Sequence, residues 1–468
     1  MAKTAAATAL DIAEISFSDL TLLLSLETSD DDDRRRRVLA TVGTELGRGG
    51  SGLLAVAGVP RTGILRRRLL PLARRLALMD HPTRAQLLKK HGLGSDVPLK
   101  KLDRSVSSFA QLLRHSGKLH LLESMNNTEF INGELVSPEK KLTAVGSEEP
   151  NGDDIENLGE LVKELGLYMM ELGILVARAC DIVIGEGQLE QSIADFGTAK
   201  ARLIHYHSEF DNIVIRESNT KRKGLVRKVA VRPCQSCSQS SVSRSMPCIK
   251  SEHETTVITK RGNDSKDSSI QSHGGVVPLS HLWQEWHYDY GIFTVLTAPL
   301  FWHASMVEEC LISQEWCPPD GHTHLQLCSR RKTFSVRCSP ESFIVQVGEA
   351  ADILSGGKLK STLHAVSRPL GFADISRETF VVFLQPSWDK TLTYSGYSSD
   401  AEDESSNDKM SIRSDGSAGS CHEDVCMQEI LKKIPPLSSR LKEGMTFAEF
   451  SRQTTKQYYG GGGIQQNN

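Results

Sequence analysis

An α+β fold with a jelly-roll or β-sandwich core is predicted by two features of the chain. Between Val276 and Gln385, short apolar runs alternate with Gly, Pro and Ser breaks, the texture of many short strands. Upstream, Leu158, Leu161, Leu165, Met169, Leu172 and Val176 recur every three to four residues, which describes one long amphipathic helix supporting that core.

The elements follow in order. Ile15 to Leu20 alternates and reads as a short strand leading into a helix. Asp30 to Asp33 directly precede Arg34 to Arg37, a solvated helix start with the acids where the helix dipole prefers them. Gly49 to Gly52 form a loop feeding the apolar strand Leu53 to Val59. This loop matches neither G-x-x-x-x-G-K-[ST] nor G-x-G-x-x-G, so nucleotide binding has little support. Asp153 or Asp154 is expected to cap the long helix. Leu203 to His207 begins a core strand, and 208–275 reads as a disordered basic and Ser-rich insertion. Phe343 to Val347 is a strand, Gly348 a turn, and Glu349 to Leu354 a helical turn. An acidic, Ser-rich stretch over 389–425 reads as a disordered linker. Thr446-Phe447-Ala448-Glu449 is a capping box opening a last helix through about Gln457, and Gly460 to Gly463 form a flexible end. The resulting organisation is 1–150, an N-terminal α/β region; 151–207, the supporting helix and first core strand; 208–275, the insertion; 276–388, the core; 389–425, the linker; and 426–468, the C-terminal helix and tail.

Composition sets limits. A net charge of −3 provides no global pull toward nucleic acid or an anionic membrane. Ten cysteines in 468 residues are not a small disulfide scaffold, and with no secretory leader at the start they read as reduced thiols of a cytoplasmic, or nuclear, protein. The longest uncharged apolar stretch, Gly291 to Val307, is interrupted by Pro299 and His303 and reads as buried strands, not as a membrane span.

The chemistry is carried by Trp286-His287-Tyr288-Asp289-Tyr290 and by His364 within Ser361 to Val366. Side chains alternate along a strand, so His287 and Asp289 point the same way and can grip one ion. His364 on a neighbouring strand completes two imidazoles and one carboxylate with three coordination positions open, the facial arrangement of non-haem Fe(II) oxygenases. Arg377 and Thr379 lie two apart on the strand leading into Phe380 to Leu384. A forked guanidinium and a hydroxyl on one face make a carboxylate receptor, which suits 2-oxoglutarate beside iron.

At these residues the chain resembles the plant-type 2-oxoglutarate and Fe(II)-dependent dioxygenases, the isopenicillin N synthase-like group. That family carries H-x-D, a distal His and R-x-S. The resemblance implies a double-stranded β-helix (jelly roll) with supporting N-terminal helices and a C-terminal helix. It implies Fe(II) on His287, Asp289 and His364, no catalytic residue beyond the metal centre, and 2-oxoglutarate held by Arg377 and Thr379. Decarboxylation of that co-substrate would be coupled to oxidation of a small organic molecule by dioxygen, in a monomer with no membrane or nucleic-acid partner. Thr379 stands where the family has Ser, and His205-Tyr206-His207 where it has Asn-Tyr-Tyr. His207 takes the place of the family's co-substrate Tyr, with Tyr206 as the neighbour able to replace it. This departure leaves room for an iron-dependent oxidase that takes no oxoglutarate, and a non-catalytic jelly-roll interaction protein is the alternative from another class. The sequence around Val307 to Gly321 is longer than is typical for the family.

Other candidates have blander readings. Cys234, Cys237, Cys248 and His253, and likewise Cys317, His322, His324 and Cys328, offer zinc-type ligands at irregular spacing. His281, His303 and Arg368 read as structural or loop residues, and the basic run over 216–232 as a solvated loop.

Overall fold

The computed structural model describes residues 8–24, 31–95, 105–115, 130–131, 134–135, 152–185, 187–221, 281–307, 310–318, 321–329, 332–369, 371–393, 428, 430 and 432–459. In chain order these form β1 (Ala9–Asp11), β2 (Glu14–Ser16), α1 (Phe17–Thr21), α2 (Asp32–Leu46), β3 (Leu53–Ala57), α3 (Thr62–Leu78), α4 (His81–Lys90), β4 (Gly94–Ser95) and β5 (Val106–Arg114). After the small hairpin β6 (Phe130–Ile131) and β7 (Glu134–Leu135) come α5 (Leu158–Ile184), α6 (Leu189–Phe196), β8 (Thr198–Tyr206) and α7 (Glu209–Lys221). The core continues with β9 (Leu282–His287), β10 (Phe293–Thr297), β11 (Leu300–Val307), β12 (Cys310–Glu315), β13 (His322–Ser329), β14 (Lys332–Arg337) and β15 (Phe343–Val347). It closes with α8 (Glu349–Leu354), β16 (Leu363–Ser367), β17 (Ile375–Leu384), α9 (Leu437–Arg440) and α10 (Phe447–Tyr459).

Two sheets make the jelly roll. The larger runs β2-β3-β15-β10-β17-β8-β5-β4, with the β11/β12 hairpin also paired to β17; the smaller runs β1-β14-β13-β16-β9. The period-2 alternation of β17 explains the layering. Val381 faces the smaller sheet, in a cluster with Ile204, Leu296, Ile344, Leu325, Leu327 and Val366. Phe380, Val382 and Leu384 face the opposite way, into the helical layer with Leu172, Val176 and Leu69. Burying each large apolar side chain contributes about 1.5–3 kcal/mol. A third cluster, Leu282, Trp286, Leu363, Ala365, Ile430 and Ile434, covers the outer face of the smaller sheet with the C-terminal segment. Close approach of α5 to the sheet depends on Gly173: a Cβ there would stand 2.0 Å from Cδ1 of Leu384.

Two expectations need correction. A 3-10 turn, Gly152–Ile155, precedes α5, and Asn157 stands at its N-cap. Asp154 is instead turned to Arg68, 2.6 Å from its Nη2, so its carboxylate cannot serve the helix. The stretch expected to be disordered from residue 208 opens with a helix, α7. Ser208 and Asp211 cap one another's backbone N–H groups there, a local signal for a helix start. The remainder of 208–275, most of 389–425, and Cys234, Cys237, Cys248 and His253 lie outside the described residues.

The expected strand at Leu203 to His207 is the end of one that begins earlier, Thr198–Tyr206, while several other local readings agree with the structure. The strand into α1, the acidic start of α2, and the strand, turn and helix from Phe343 to Leu354 stand where expected. Glu449 accepts from the Thr446 N–H at 2.9 Å, and the Glu449 N–H donates back to Thr446 Oγ1 at 3.3 Å, closing the capping box of α10. The longer segment around Val307 to Gly321 supplies β12 and the turn after it; β12 pairs with β11, which lies along β17. No helix among the described residues is long and apolar enough to cross a membrane.

Candidate metal centre and co-substrate clamp

His287 ends β9 and His364 sits in β16, and the ladder between the two strands sets them directly opposite one another. Their rings stand 4.2 Å apart between centroids. Asp289 follows two residues after His287, with Oδ1 3.7 Å from Nε2 of His287 and Oδ2 3.9 Å from Nε2 of His364. The three ligand atoms lie within 4.8 Å of one another, among just two such groups in the described residues.

Both imidazoles have their tautomer fixed in the same way. His287 Nδ1 is 2.7 Å from the carbonyl of Glu285, and His364 Nδ1 is 3.0 Å from that of Thr362. A carbonyl only accepts, so Nδ1 carries the hydrogen and Nε2 keeps its lone pair facing Asp289. Burial, and then the neighbouring His364, push His287 down to about 4, so it is neutral at pH 7. Two imidazole nitrogens and one carboxylate on one side of a point fit Fe(II) with positions left open.

Residues not anticipated from sequence hold Asp289. Thr294 Oγ1 donates to Asp289 Oδ2 at 2.6 Å, and Gln346 Nε2 donates to the same oxygen at 3.0 Å while lying 3.1 Å from His364 Nδ1. Thr294 interrupts the apolar run of Phe293–Thr297, and Gln346 is the lone polar residue of Phe343–Val347; those interruptions are the available signal. Behind the loop, the N–H groups of Gly348, Glu349 and Ala350 bond the carbonyls of Ile292, Asp289 and Gly291. A Cβ on Gly348 would stand 2.2 Å from the Gly291 carbonyl oxygen, so only glycine permits this approach. Removing one bond to the ligand tests its role: Thr294→Val, nearly isosteric, is expected to weaken Fe(II) binding roughly 10-fold without unfolding the chain, measured by anaerobic metal titration.

Arg377 and Thr379 lie on β17 and Tyr206 on β8, where Arg377 and Tyr206 are ladder partners. The Arg377 guanidinium stacks 5.1 Å from the Tyr206 ring centroid, and its Nε donates to the Thr323 carbonyl at 3.0 Å. It is 2 % exposed, yet Nη1 has no partner. A buried cation with an unsatisfied donor fits a carboxylate guest. Thr379 Oγ1 is 3.3 Å from the Thr297 carbonyl. Tyr206 also donates to Gln284 Oε1 at 2.9 Å, and Gln284 Nε2 lies 2.9 Å from His287 Nε2, linking the two halves of the site.

His207 is not brought to Arg377. Alternation turns it to the opposite face of β8, where its Nε2 meets Ser107 Oγ at 2.8 Å. Tyr206, and not His207, therefore lies beside Arg377. The remaining candidates do not join His287, Asp289 and His364. His303 pairs with Asp374 at 2.6 Å, and Arg368 lies 5.8 Å from the Trp283 ring centroid. Cys317, His322, His324 and Cys328 do not converge on one point, and the described cysteines Cys180, Cys317, Cys328 and Cys338 are free thiols.

Comparison with known proteins finds one family-model match and several similar solved structures. The model of the 2OG-Fe(II) oxygenase superfamily matches residues 313–386, a span that contains His364, Arg377 and Thr379. No curated protein matches. Among solved structures, the chain is similar to a full-length Neurospora crassa protein in complex with alpha-KG and 5-formyluracil, at 13% identity and TM-score 0.44, covering 90% of this chain and 95% of that one. It is also similar to JOX2 in complex with 2OG, Fe and JA, at 15% identity and TM-score 0.42, covering 82% and 78%. A third similar structure is the Arabidopsis thaliana dioxygenase for auxin oxidation 1 in its 2-oxoglutarate complex, at 12% identity and TM-score 0.39, covering 81% and 94%. Over residues 313–386, which hold β13 to β17, the chain therefore matches the 2OG-Fe(II) oxygenase superfamily.

Proposed function

We propose that the chain couples decarboxylation of 2-oxoglutarate to hydroxylation, or a related oxidation, of a small organic substrate by dioxygen. The observation that carries this reading is the pairing of two devices inside one jelly roll. One is the buried His287, Asp289 and His364 set; the other is the Arg377 guanidinium with Nη1 unpartnered. His287, Asp289 and His364 would hold Fe(II), and Arg377, Thr379 and Tyr206 the far carboxylate of 2-oxoglutarate. Bound Fe(II) supplies the redox chemistry that activates dioxygen.

The protein's own contribution is geometric and electrostatic. Glu285 and Thr362 carbonyls orient the imidazoles, while Thr294 and Gln346 keep the Asp289 carboxylate in place. Burial strengthens the Arg377 charge toward an incoming carboxylate. His287 and His364, 8 % and 6 % exposed, sit where little water reaches, which suits an oxidation that must spare the protein.

The test is release of succinate and CO2 from 2-oxoglutarate by the Fe(II)-loaded chain. Arg377→Met, which keeps the apolar stem and removes the fork, is expected to weaken 2-oxoglutarate binding by about 2–5 kcal/mol while leaving Fe(II) binding intact. Iron binding without succinate release in the wild type would instead identify an oxidase that takes no oxoglutarate. Loss of both would leave a non-catalytic jelly roll.

A further inference from the structure

On the reverse face of β8 and β17, directly behind the clamp, lies a fully buried polar cluster. His205 is the ladder partner of Glu378, one position from the Tyr206 and Arg377 pair. Its Nδ1 is 2.7 Å from Glu378 Oε1 and its Nε2 is 3.3 Å from Asp211 Oδ2, with all three side chains at zero exposure. The Asp211 contact lacks hydrogen-bond alignment, so it acts as an ion contact. Ser376 Oγ donates to Glu378 Oε1 at 3.0 Å.

His205, His207 and Asp211 are close enough to hold a metal, but Asp211 is already committed. Its Oδ1 accepts from Arg74 Nη2 at 2.9 Å and its Oδ2 from the Ser208 N–H at 2.9 Å. His207 faces Ser107, with its ring 4.3 Å from that of His205. The charges settle the alternative. With both carboxylates ionised, one guanidinium and two carboxylates would leave a net negative charge in this fully buried site, and a doubly protonated His205 cancels it. Each His205 nitrogen then faces a carboxylate oxygen. Burial by itself would lower the His205 value, but Asp211 and Glu378 outweigh it and raise it.

We infer that His205 is a positioning residue for the co-substrate clamp: as an imidazolium held between Glu378 of β17 and Asp211 of α7, it locks β8 to β17 and fixes Tyr206 against Arg377. Arg74 of α3 extends the network into the helical layer and, through Nη1, to Ser313 of the β12 hairpin at 2.6 Å. The inference rests on reading Arg377 as the carboxylate clamp.

The experiment uses the full chain. In wild-type protein labelled with 15N-histidine, one imidazole is expected to keep both ring nitrogens protonated at pH 8, where an ordinary histidine of pKa about 6.5 is neutral, and this signal should vanish in His205→Gln. In succinate-release assays, His205→Gln and Glu378→Gln are expected to raise the apparent KM for 2-oxoglutarate on the order of tenfold, with kcat at saturation and Fe(II) stoichiometry little changed. The wild-type advantage in stability over His205→Gln should be complete below about pH 6.5 and disappear as pH rises through the raised folded value. A neutral His205, an unchanged KM, or a second metal equivalent lost in His205→Gln would each overturn the inference. Wild-type 2-oxoglutarate binding in Arg377→Met would instead mark failure of the underlying clamp reading, whatever the state of His205.

Discussion

His287→Ala is expected to abolish stoichiometric Fe(II) binding and, with it, succinate release, while the far-UV circular dichroism stays that of the wild type. The same holds for Asp289→Asn, which keeps the shape of the side chain but removes the only anionic ligand. Loss of an outer hydrogen bond to a metal ligand typically costs about 10–100-fold in affinity, and deletion of one of three ligands must exceed that. Anaerobic titration with Fe(II) and 2-oxoglutarate, following the metal-to-ligand charge-transfer band, reads the effect directly. An unchanged band in His287→Ala would remove His287 from the centre. Because Nε2 of each histidine is set by a backbone carbonyl at Nδ1, substitution at the ligand leaves its neighbours in place.

Arg440→Met is expected to cost about 3–5 kcal/mol of stability, the range for breaking one side of a buried ion pair. Arg440 donates through Nη1 to Glu349 Oε2 at 2.7 Å and to Thr454 Oγ1 at 3.0 Å, and Nη2 reaches Glu349 Oε1, so the pair is two-pronged. Both side chains are almost fully buried. Burial pushes the Glu349 carboxyl up, and Arg440 offsets part of that; without the guanidinium, Glu349 must take up a proton or drag water inward. Urea unfolding gives the magnitude, and Arg440→Met combined with Glu349→Leu should recover much of it, as apolar replacements of buried pairs do. A loss below about 1 kcal/mol, the level of exposed pairs, would mean the pair is not closed in solution.

The grouping of His287 with Asp289, and of Arg377 with Thr379, is legible because each has a fixed spacing: H-x-D and R-x-T are both period-2 features of a strand. Tyr206 and His207 were not separable from sequence, since a strand shows which residues share a face but not which face is inside. Only the pairing of β8 with β17 decides that, and it puts Tyr206 opposite Arg377. Thr294 and Gln346 were visible only as interruptions of apolar runs. The His205 network was hidden more deeply, because Arg74, Asp211 and Glu378 come from three separate elements and no local pattern joins them. The α7 start at Ser208 and Asp211 is obscured in the sequence by the basic, Ser-rich composition that follows it.

The contact between Arg440 and Glu349 also bears on the order of events during synthesis. Glu349 donates its N–H to the carbonyl of Asp289, so the loop bearing the carboxylate ligand is buttressed by a residue whose counter-ion arrives 91 positions later. A chain emerging from the ribosome can form the helical layer and most strands before residue 440 is made, but Glu349 then has no partner and its burial is unfavourable. The metal loop should therefore mature only after the C-terminal segment docks. The Asp289 loop is thus expected to reach its final shape late, coupled to completion of the fold.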